Sequence, residues 1–397
     1  MDDAGLRAYL SEIPVPSFPD PAWVIPRPLA DATVGIVTTA GVHRADAHRA
    51  DVQPFALGDT TFRVFERDAR DLALGHRSPS FDRIGFAADI NVVAPVDRLA
   101  ELAADGTIAA VAPRHVSFVG SQPDDVAVLR YETGPQAAAM LRDDGVDVVV
   151  LIPLGPMCTR TVCVLAHVLE AHGIATVALV SVERLAERMR PPRALYCEFP
   201  LGRPLGRPAD AQYQHEVLRA AFGLLGAPAG PVLTAWPEAI ECDRRPLACA
   251  LPEWTDRTVP AAVAEVRGLR IAYDTYRRTH GRTSVGLGVA PDGVDAAGLE
   301  GAGLEAAAAA FVRIADGTPW REAGVAANPV ACALDLRSYY EEAALALVDG
   351  VPGAGAAEAW FYGTTATGAA LRAARDRMRE ADAPFPLWYY LVTGEPD

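Results

Sequence analysis

The sequence predicts an α/β protein in which a doubly wound, mostly parallel sheet flanked by helices is followed by a mainly helical domain. Short β-branched runs alternate with helical spacing between about residues 30 and 235, and only helical patterns follow residue 250. Such alternation is typical of parallel sheets with crossover helices. At 397 residues the chain exceeds the usual size of one core. We expect a Pro-rich arm over 1–30, an α/β domain over 31–250 and a helical domain over 251–397.

The individual elements follow from these local patterns. Six prolines between residues 11 and 31 predict an irregular arm, and the polar run RADAHRAD at 44–51 predicts a loop. The run VDVVVLIP at 146–153 is apolar almost throughout, as strands covered on both faces are. Strands are also predicted at 33–38, 62–65, 108–112 and 175–180, and helices at 96–104, 134–144, 159–172, 259–279, 304–316, 334–348 and 367–381.

Composition excludes several classes of function. The net charge of −15 disfavours binding to nucleic acid or to anionic membranes. All 36 basic residues are arginines, so a lysine Schiff base, pyridoxal phosphate and a P-loop are excluded. No GxGxxG motif follows the first strand, and NAD is therefore not expected.

The cysteines and the first residues of the sequence predict the cellular compartment of the protein. Six cysteines without a dense spacing pattern are typical of reduced thiols. The start MDDAGLRAYL lacks the apolar run of a signal peptide, and no apolar stretch has the length of a membrane span. We expect a cytoplasmic protein.

One cysteine stands at a position suited to chemistry. Cys158 follows the buried strand at 146–153 and begins the next helix, where free backbone N–H groups and the helix dipole lower a thiol pKa. Cys163, five positions further on, is expected to face the packing side. The alternative for Cys158 is that it is a buried and inert core residue.

Polar residues in loops after strands form a second candidate set. Histidines suit proton transfer and metal binding, and His43, His76 and Cys158 meeting in one crevice would suit zinc or copper. No HExxH or CxxC pair supports a metal, and loop or cap roles are the alternative. The duplicated turn LGRPLGRP at 201–208 offers arginines for a carboxylate, or serves only as a connector. The aromatic residues near Tyr339 and Tyr389 are expected to be packing or interface residues.

Five colinear strings carry a resemblance to a known family: VTTAGVH at 37–43, DIN at 89–91, APRH at 112–115, ETGP at 132–135 and GVDVV at 145–149. In order and spacing they resemble the selenoprotein B family. Its members are the substrate-handling subunits of glycine, sarcosine and betaine reductases and of D-proline reductase. The D-proline reductase branch matches best, and the resemblance covers about residues 10 to 200.

The resemblance implies a reaction mechanism, and this sequence departs from the family at a residue that the mechanism needs. In the family a selenocysteine or cysteine, two residues and a cysteine follow the strand. The selenolate or thiolate attacks the substrate carbon beside nitrogen, and a pyruvoyl-containing partner activates the amine in the glycine, sarcosine and D-proline enzymes. The second cysteine corresponds to Cys158 and the selenocysteine position to Gly155. Glycine offers no nucleophile, so the selenium-based displacement and the dithiol couple are absent.

The carried-over positions define the expected site. By position, the expected catalytic residues are Cys158, His43, His115 and Asp89, and the expected substrate-binding residues are Asn91, Arg114, Thr39, Gly155 and Thr159. One hypothesis is an enzyme that acts on a carbon–heteroatom bond of a small amino-acid-like substrate, with Cys158 as nucleophile or metal ligand.

Two further hypotheses remain open. The chain is a binding or scaffold subunit of a reductase-like complex, or a reductase that borrows its second thiol from a partner. The helical half is expected to act as a lid over the crevice, as a homodimer interface or as structural support.

Overall fold

A computed structural model describes residues 2–19, 21–44, 55–56, 58–253, 257–289, 303–325 and 327–393. Of the loop predicted over 44–51, Arg44 is instead the last residue of a strand, Val42–Arg44, and the other residues lie outside the described ones. Within them, no helix is both long enough and apolar enough to cross a membrane.

The described strands belong to one large sheet and one small ribbon. Their bounds are β1 Thr33–Thr38, β2 Val42–Arg44, β3 Arg63–Glu66, β4 Leu72–Leu74, β5 Ala110–Val111, β6 Arg114–Ser117, β7 Val148–Ile152, β8 Ala175–Val180, β9 Arg193–Tyr196 and β10 Val232–Ala235.

The described α-helices lie in both halves of the chain. Their bounds are α1 Asp3–Ser11, α2 Ile84–Ala88, α3 Val96–Ala104, α4 Gly134–Asp143, α5 Cys158–Ala171, α6 Glu183–Met189, α7 Ala211–Gly223, α8 Ala261–His280, α9 Leu304–Ala315, α10 Pro329–Leu345, α11 Ala356–Thr364, α12 Ala366–Glu380 and α13 Phe385–Tyr389.

The large sheet has eight strands and is mostly parallel. Its order is β10-β9-β8-β7-β1-β6-β3, with β5 also paired to β1. Only β3 runs antiparallel, against β6, and β2 and β4 form a separate antiparallel ribbon. The predicted doubly wound fold is therefore confirmed, and the helical half follows it.

Strand β7 shows why the sheet needs cover on both faces. Val148, Val150 and Ile152 belong to one apolar core, whereas Val149 and Leu151 belong to the core on the opposite face. Successive side chains of a strand point to opposite faces, so a strand apolar at every position is buried on both sides. This places the carboxyl end of β7 inside the protein.

The helical half has a core of its own. That cluster begins at Cys249, whereas the clusters of the sheet end at Leu225. The domain bounds at 30 and 250 stay predictions. The structure differs from the irregular arm predicted over 1–30, because helix α1 precedes the proline-rich stretch.

A seam of buried polar contacts joins the two halves. The Arg337 guanidinium, on α10, donates to the carbonyl oxygens of Pro79 (2.8 Å) and Phe81 (3.2 Å). Asp82 accepts from Arg203 (2.8 Å) and from the Gly355 N–H (3.0 Å). The segment 76–83, which links β4 to α2, therefore lies between the sheet and the helical core.

Candidate active site

The site begins where β1 and β7 end side by side. Their parallel register pairs Thr38 with Ile152, and the Thr39 N–H donates to the Ile152 carbonyl oxygen at 3.0 Å. In an open α/β sheet, ligands bind at the carboxyl ends of the strands. Cys158 begins α5 three residues beyond Gly155, as the sequence predicts.

Three groups surround the Cys158 sulfur. The Gly155 N–H donates to Sγ at 3.0 Å, the thiol donates to the Thr39 carbonyl oxygen at 3.7 Å, and His76 Nε2 lies 3.7 Å away. The structure thus brings four of the expected residues together: Thr39, His76, Gly155 and Cys158.

The contacts of His76 define its tautomer. Its Nδ1 accepts the Ser78 N–H at 3.2 Å, which places the ring proton on Nε2. Nε2–H therefore points toward the sulfur and donates to it. In this state His76 stabilises negative charge on sulfur rather than accepting the thiol proton.

Two glycines allow this close packing. A Cβ on Gly120 would lie 2.1 Å from Cys158 Sγ, so only a glycine fits beside the sulfur. A Cβ on Gly155 would lie 3.3 Å from His76 Cε1 and 3.5 Å from Phe81 Cδ1. A side chain at position 155 would thus face the imidazole.

The predicted fall in the pKa of Cys158 is wrong. Burial raises the pKa of the thiol, although a hydrogen bond with the Thr39 side chain and the backbone N–H groups of Leu154 and Gly155 act in the opposite direction. The side chain has no exposed surface, and the loss of hydration outweighs the helix start. Burial also lowers the pKa of His76 to about 3, so the pair is a neutral thiol and a neutral imidazole.

His43 lies close by but does not complete a metal site. Its Nδ1 is 3.1 Å from the Gly41 carbonyl oxygen, and burial lowers its pKa. A Cβ on Gly75 would lie 2.9 Å from the same Nδ1. Within the described ranges, no three His, Cys, Asp or Glu side chains are placed to hold a metal ion. The metal role of His43, His76 and Cys158 stays a prediction without this support.

His115 is a core residue of β6, which corrects the expected loop position. Its Nδ1 accepts the Ile36 N–H at 3.2 Å, and burial lowers its pKa to about 3. Pro113, between β5 and β6, has no N–H to continue the ladder along β1. The imidazole of His115 therefore supplies the hydrogen-bond acceptor for the Ile36 N–H of β1 at this point.

Asp89 and Asn91 hold the framework together. Asp89 accepts from the Asn91 side chain (3.0 Å), the Ala209 N–H (2.9 Å) and the Gln214 amide (2.7 Å). Asn91 also donates to Asp97 at 3.0 Å. Neither side chain bonds to Cys158 or His76, so these contacts do not support their expected catalytic and substrate-binding roles.

Arg114 and Thr159 also have structural partners. Arg114 forms a bidentate pair with Asp144, with N–O distances of 2.9 and 2.7 Å. The Thr159 hydroxyl bonds to the Ser181 hydroxyl and accepts its N–H, both at 3.1 Å. In the 201–208 turn, Arg203 pairs with Asp82 rather than standing free for a carboxylate. Cys163 is fully buried in the core on the other face of the sheet, as expected.

A cavity of about 390 Å³ lies at the seam, one side chain away from the sulfur. Its walls include Phe81 and Asp82 from the linking segment, and Glu358, Tyr362 and Arg372 from the helical half. The Phe81 ring also meets the His76 ring edge to face, with centroids 5.2 Å apart. Phe81 therefore separates this cavity from the Cys158–His76 pair.

Sequence reasoning missed Arg83. Its side chain is 3% exposed and donates from Nη1 to the His76 carbonyl oxygen at 3.0 Å, while Nε and Nη2 have no hydrogen-bond partner among the described residues. The available signal is an arginine between the apolar residues of the stretch FDRIGF at 81–86.

Three curated relatives each match about half of the protein. The D-proline reductase subunit gamma of Acetoanaerobium sticklandii is 33% identical over 215 residues, 53% of this chain and 86% of the relative. The glycine reductase complex component B subunit gamma of Carboxydothermus hydrogenoformans is 24% identical over 53% of this chain and 48% of the relative. For the sarcosine reductase complex component B subunit beta of Peptoclostridium acidaminophilum the identity is 27%, over 53% and 49%.

These relatives define a class of reductase subunits, in agreement with the site at the strand ends. The chain belongs to the selenoprotein B family of glycine, sarcosine, betaine and D-proline reductases. It spans about half the length of the glycine and sarcosine reductase relatives. No family model matches the sequence, and no solved structure matches it significantly. The correspondence of Gly155 to selenocysteine stays a prediction.

Proposed function

We propose that the protein is a subunit of a reductase complex and cleaves a carbon–nitrogen bond of a small amino-acid-like substrate through Cys158. One observation carries this proposal. In a member of a reductase family, the Cys158 sulfur lies at the end of β7, where the Gly155 N–H donates to it and His76 Nε2 faces it. Both donors favour the negative charge that a nucleophilic sulfur must carry.

The reaction proceeds in two balanced stages. The sulfur bonds to the carbon as the carbon–nitrogen bond breaks, and the released amine takes its electron pair and the thiol proton. One thiol of an external dithiol then attacks the Cys158 sulfur. The carbon–sulfur bond breaks, and the carbon takes the bonding electrons and a proton. The second thiol closes a disulfide and restores Cys158, so the dithiol is oxidised and the substrate reduced.

Access to the sulfur requires a movement. Cys158 has no exposed surface, and Phe81 lies between His76 and the 390 Å³ cavity. Displacement of the Phe81 ring would connect the cavity to the sulfur. The helical half then acts as a lid, because Arg337 holds the Phe81 carbonyl oxygen from α10.

The test is carbon–nitrogen bond cleavage by the native complex, purified with the subunits that accompany it; it is measured as the released amine for glycine and sarcosine and as the new primary amine of the opened ring for D-proline. D-Proline, glycine and sarcosine serve as substrates and dithiothreitol as the reductant. Cys158→Ser is expected to lower carbon–nitrogen bond cleavage by more than about 100-fold. Cys163→Ser is the matched control, because Cys163 is equally buried on the same helix but belongs to the opposite core.

A second candidate is a non-catalytic subunit of such a complex. The complete burial of Cys158 and the raised pKa of its thiol favour it. Two outcomes would favour this candidate over the first proposal. Either the Cys158→Ser variant keeps its turnover, or the wild-type complex turns over none of the three substrates.

A further inference from the structure

Arg337, on α10, holds the linking segment at two points. Its guanidinium donates from Nη1 to the Pro79 carbonyl oxygen (2.8 Å) and from Nη2 to the Phe81 carbonyl oxygen (3.2 Å). The same group donates from Nε to Glu341 at 2.7 Å and from Nη2 to Glu358, on α11, at 3.0 Å. A lysine has three N–H donors on one nitrogen, so it could not make all four contacts. The arginine therefore ties the linking segment to two helices of the other half.

The two carbonyl groups belong to the part of the segment that encloses the His76 ring. The Ser78 N–H, next to Pro79, donates to His76 Nδ1 at 3.2 Å. The Phe81 ring lies edge to face with the imidazole, with centroids 5.2 Å apart. On the other side of the imidazole, Nε2 faces the Cys158 sulfur at 3.7 Å. The positions that are held from the helical half are thus those that orient the imidazole and separate the sulfur from the seam cavity.

Burial makes the loss of these contacts costly. The Arg337 side chain has no exposed surface, and the carboxylates that balance its charge are 1% exposed in Glu341 and 25% exposed in Glu358. A hydrogen bond from a charged donor stabilises more than one between neutral groups. Without the guanidinium, two backbone carbonyl groups of the linking segment lose these partners. We therefore expect this segment to open before the rest of the protein unfolds.

We propose that Arg337 is a positioning residue, which fixes His76 against the Cys158 sulfur and keeps the sulfur closed to solvent until the linking segment moves. It acts through the carbonyl oxygens of Pro79 and Phe81 rather than on the sulfur directly. The helical half is then a working part of the site, because it sets the geometry of the imidazole. This inference rests on the proposed function for the role of the sulfur, and it names what regulates access to that sulfur.

The first test measures access to the sulfur without any substrate. The full chain is treated with iodoacetamide, and mass spectrometry gives the alkylation rates of Cys158 and Cys163. Both thiols are fully buried on α5, so global unfolding exposes both, whereas opening of the linking segment exposes Cys158 alone. Arg337→Gln is expected to raise the rate at Cys158 relative to Cys163 by roughly 10-fold or more, as the loss of hydrogen bonds from a charged group predicts.

Arg282→Gln is the matched control for this test. Arg282 is also a buried arginine of the seam, and it donates to the Phe86 and Ala87 carbonyl oxygens (2.7 and 2.8 Å), which belong to α2 and lie beyond the linking segment. Its substitution should leave the ratio of the two alkylation rates unchanged.

A second form of the variant guards against failure to fold. Arg337→Gln removes the buried partner of Glu341, and an unpaired buried charge is strongly destabilising. The double variant Arg337→Met with Glu341→Leu removes both charges and should show the same selective rise at Cys158.

A second readout separates positioning from structural support. In the cleavage assay, Arg337→Gln should lower kcat by roughly 10- to 100-fold and change KM less, because His76 then stabilises the developing charge on the sulfur poorly. Arg337→Lys keeps the charge without the planar fork and should recover kcat only in part. Arg282→Gln should keep kcat.

Several outcomes overturn the inference. They are an equal rise at Cys158 and Cys163 or no rise at Cys158 in both forms of the Arg337 variant, the same selective rise in Arg282→Gln, and an undiminished kcat in Arg337→Gln. Failure of the proposed function looks different. If Cys158→Ser keeps its turnover, or the wild type has none, the proposed function fails, and the ratio of alkylation rates still decides whether Arg337 holds the segment over the sulfur.

Discussion

Buried imidazoles and buried carboxyls contrast the two halves of the molecule. In the α/β half the imidazoles of His76 and His115 are neutral, with pKa values lowered to about 3, and Cys158 stays a thiol. In the helical half two buried carboxyls are held by several donors each. Asp335 accepts four backbone N–H groups from residues 286–289, and Glu342 accepts from Thr283 and Ser284.

The seam between the halves combines both kinds of buried group. In the linking segment 76–83, Arg83 donates to the carbonyl oxygen of the neutral His76, and its Nε and Nη2 have no partner among the described residues. The sulfur lies beside this boundary, behind Phe81.

The largest expected effect comes from alanine substitution at two glycines that are packed so tightly that an added Cβ has no room. Gly120→Ala places a Cβ 2.1 Å from Cys158 Sγ, and Gly368→Ala places one 2.0 Å from the Phe361 carbonyl oxygen. Each is expected to destabilise the protein by about 3 kcal/mol, because a packed core must shift. Hydrogen exchange should rise around β7 and α5 in the first variant and around α11 and α12 in the second.

Gly223→Ala is the control for both, since a Cβ there meets nothing within 4 Å. It should leave stability unchanged or slightly raised. If hydrogen exchange rose equally in both halves of each variant, this result would contradict the separation of the two cores.

Acidification from pH 7 to 5 is expected to affect the halves in opposite directions. His76 and His115 have native pKa values of about 3 against 6.5 when unfolded. The unfolded state therefore binds more protons, and each histidine removes about 2 kcal/mol of stability by pH 5. Glu342, raised to about 7 from 4.5, and Asp335, raised to about 6 from 3.8, bind more protons when native. Each acid adds about 1 to 2 kcal/mol over the same interval.

Hydrogen exchange by region, corrected for the intrinsic pH dependence, measures this difference. Protection of β1 and β6 should fall at pH 5, and protection of α10 and of residues 283–289 should rise. His115→Gln should reduce the loss in the α/β half by about half, as one of the two most strongly shifted histidines is removed. A parallel change in both halves would contradict the opposed burial of acids and imidazoles.

The fold could be predicted where local sequence decides the structure. The predicted bounds of β1, α3 and β8 agree with the structure, because long apolar or amphipathic runs suit only one element there. The sequence does not predict strand β6, since its place in the sheet depends on Pro113 and on the hydrogen bond from the Ile36 N–H to His115, 79 residues away.

The site could be predicted in part. The position of Cys158 at a strand-to-helix junction follows from the sequence, but the direction of its pKa shift does not. That direction depends on Gly120 and on the segment that carries His76, which close over the sulfur from distant parts of the chain. Arg83 could not be singled out among 36 arginines without its surroundings.

The smallest expected change restores a second thiol beside the first. Gly155→Cys places a Cβ 3.3 Å from His76 Cε1 and 3.5 Å from Phe81 Cδ1, contacts that small shifts of these rings relieve. Stability should fall by no more than about 1 kcal/mol. The new Cys-Pro-Met-Cys sequence at the start of α5 should form a disulfide with Cys158 on mild oxidation. Mass spectrometry after alkylation would show two fewer alkylated thiols than in the reduced variant. Gly223→Cys, on a helix elsewhere in the α/β half, is the control and should keep all its thiols free. If Gly155→Cys stays reduced under the same oxidant, the contact of the Gly155 N–H with the Cys158 sulfur does not bring the two residues within reach of a disulfide.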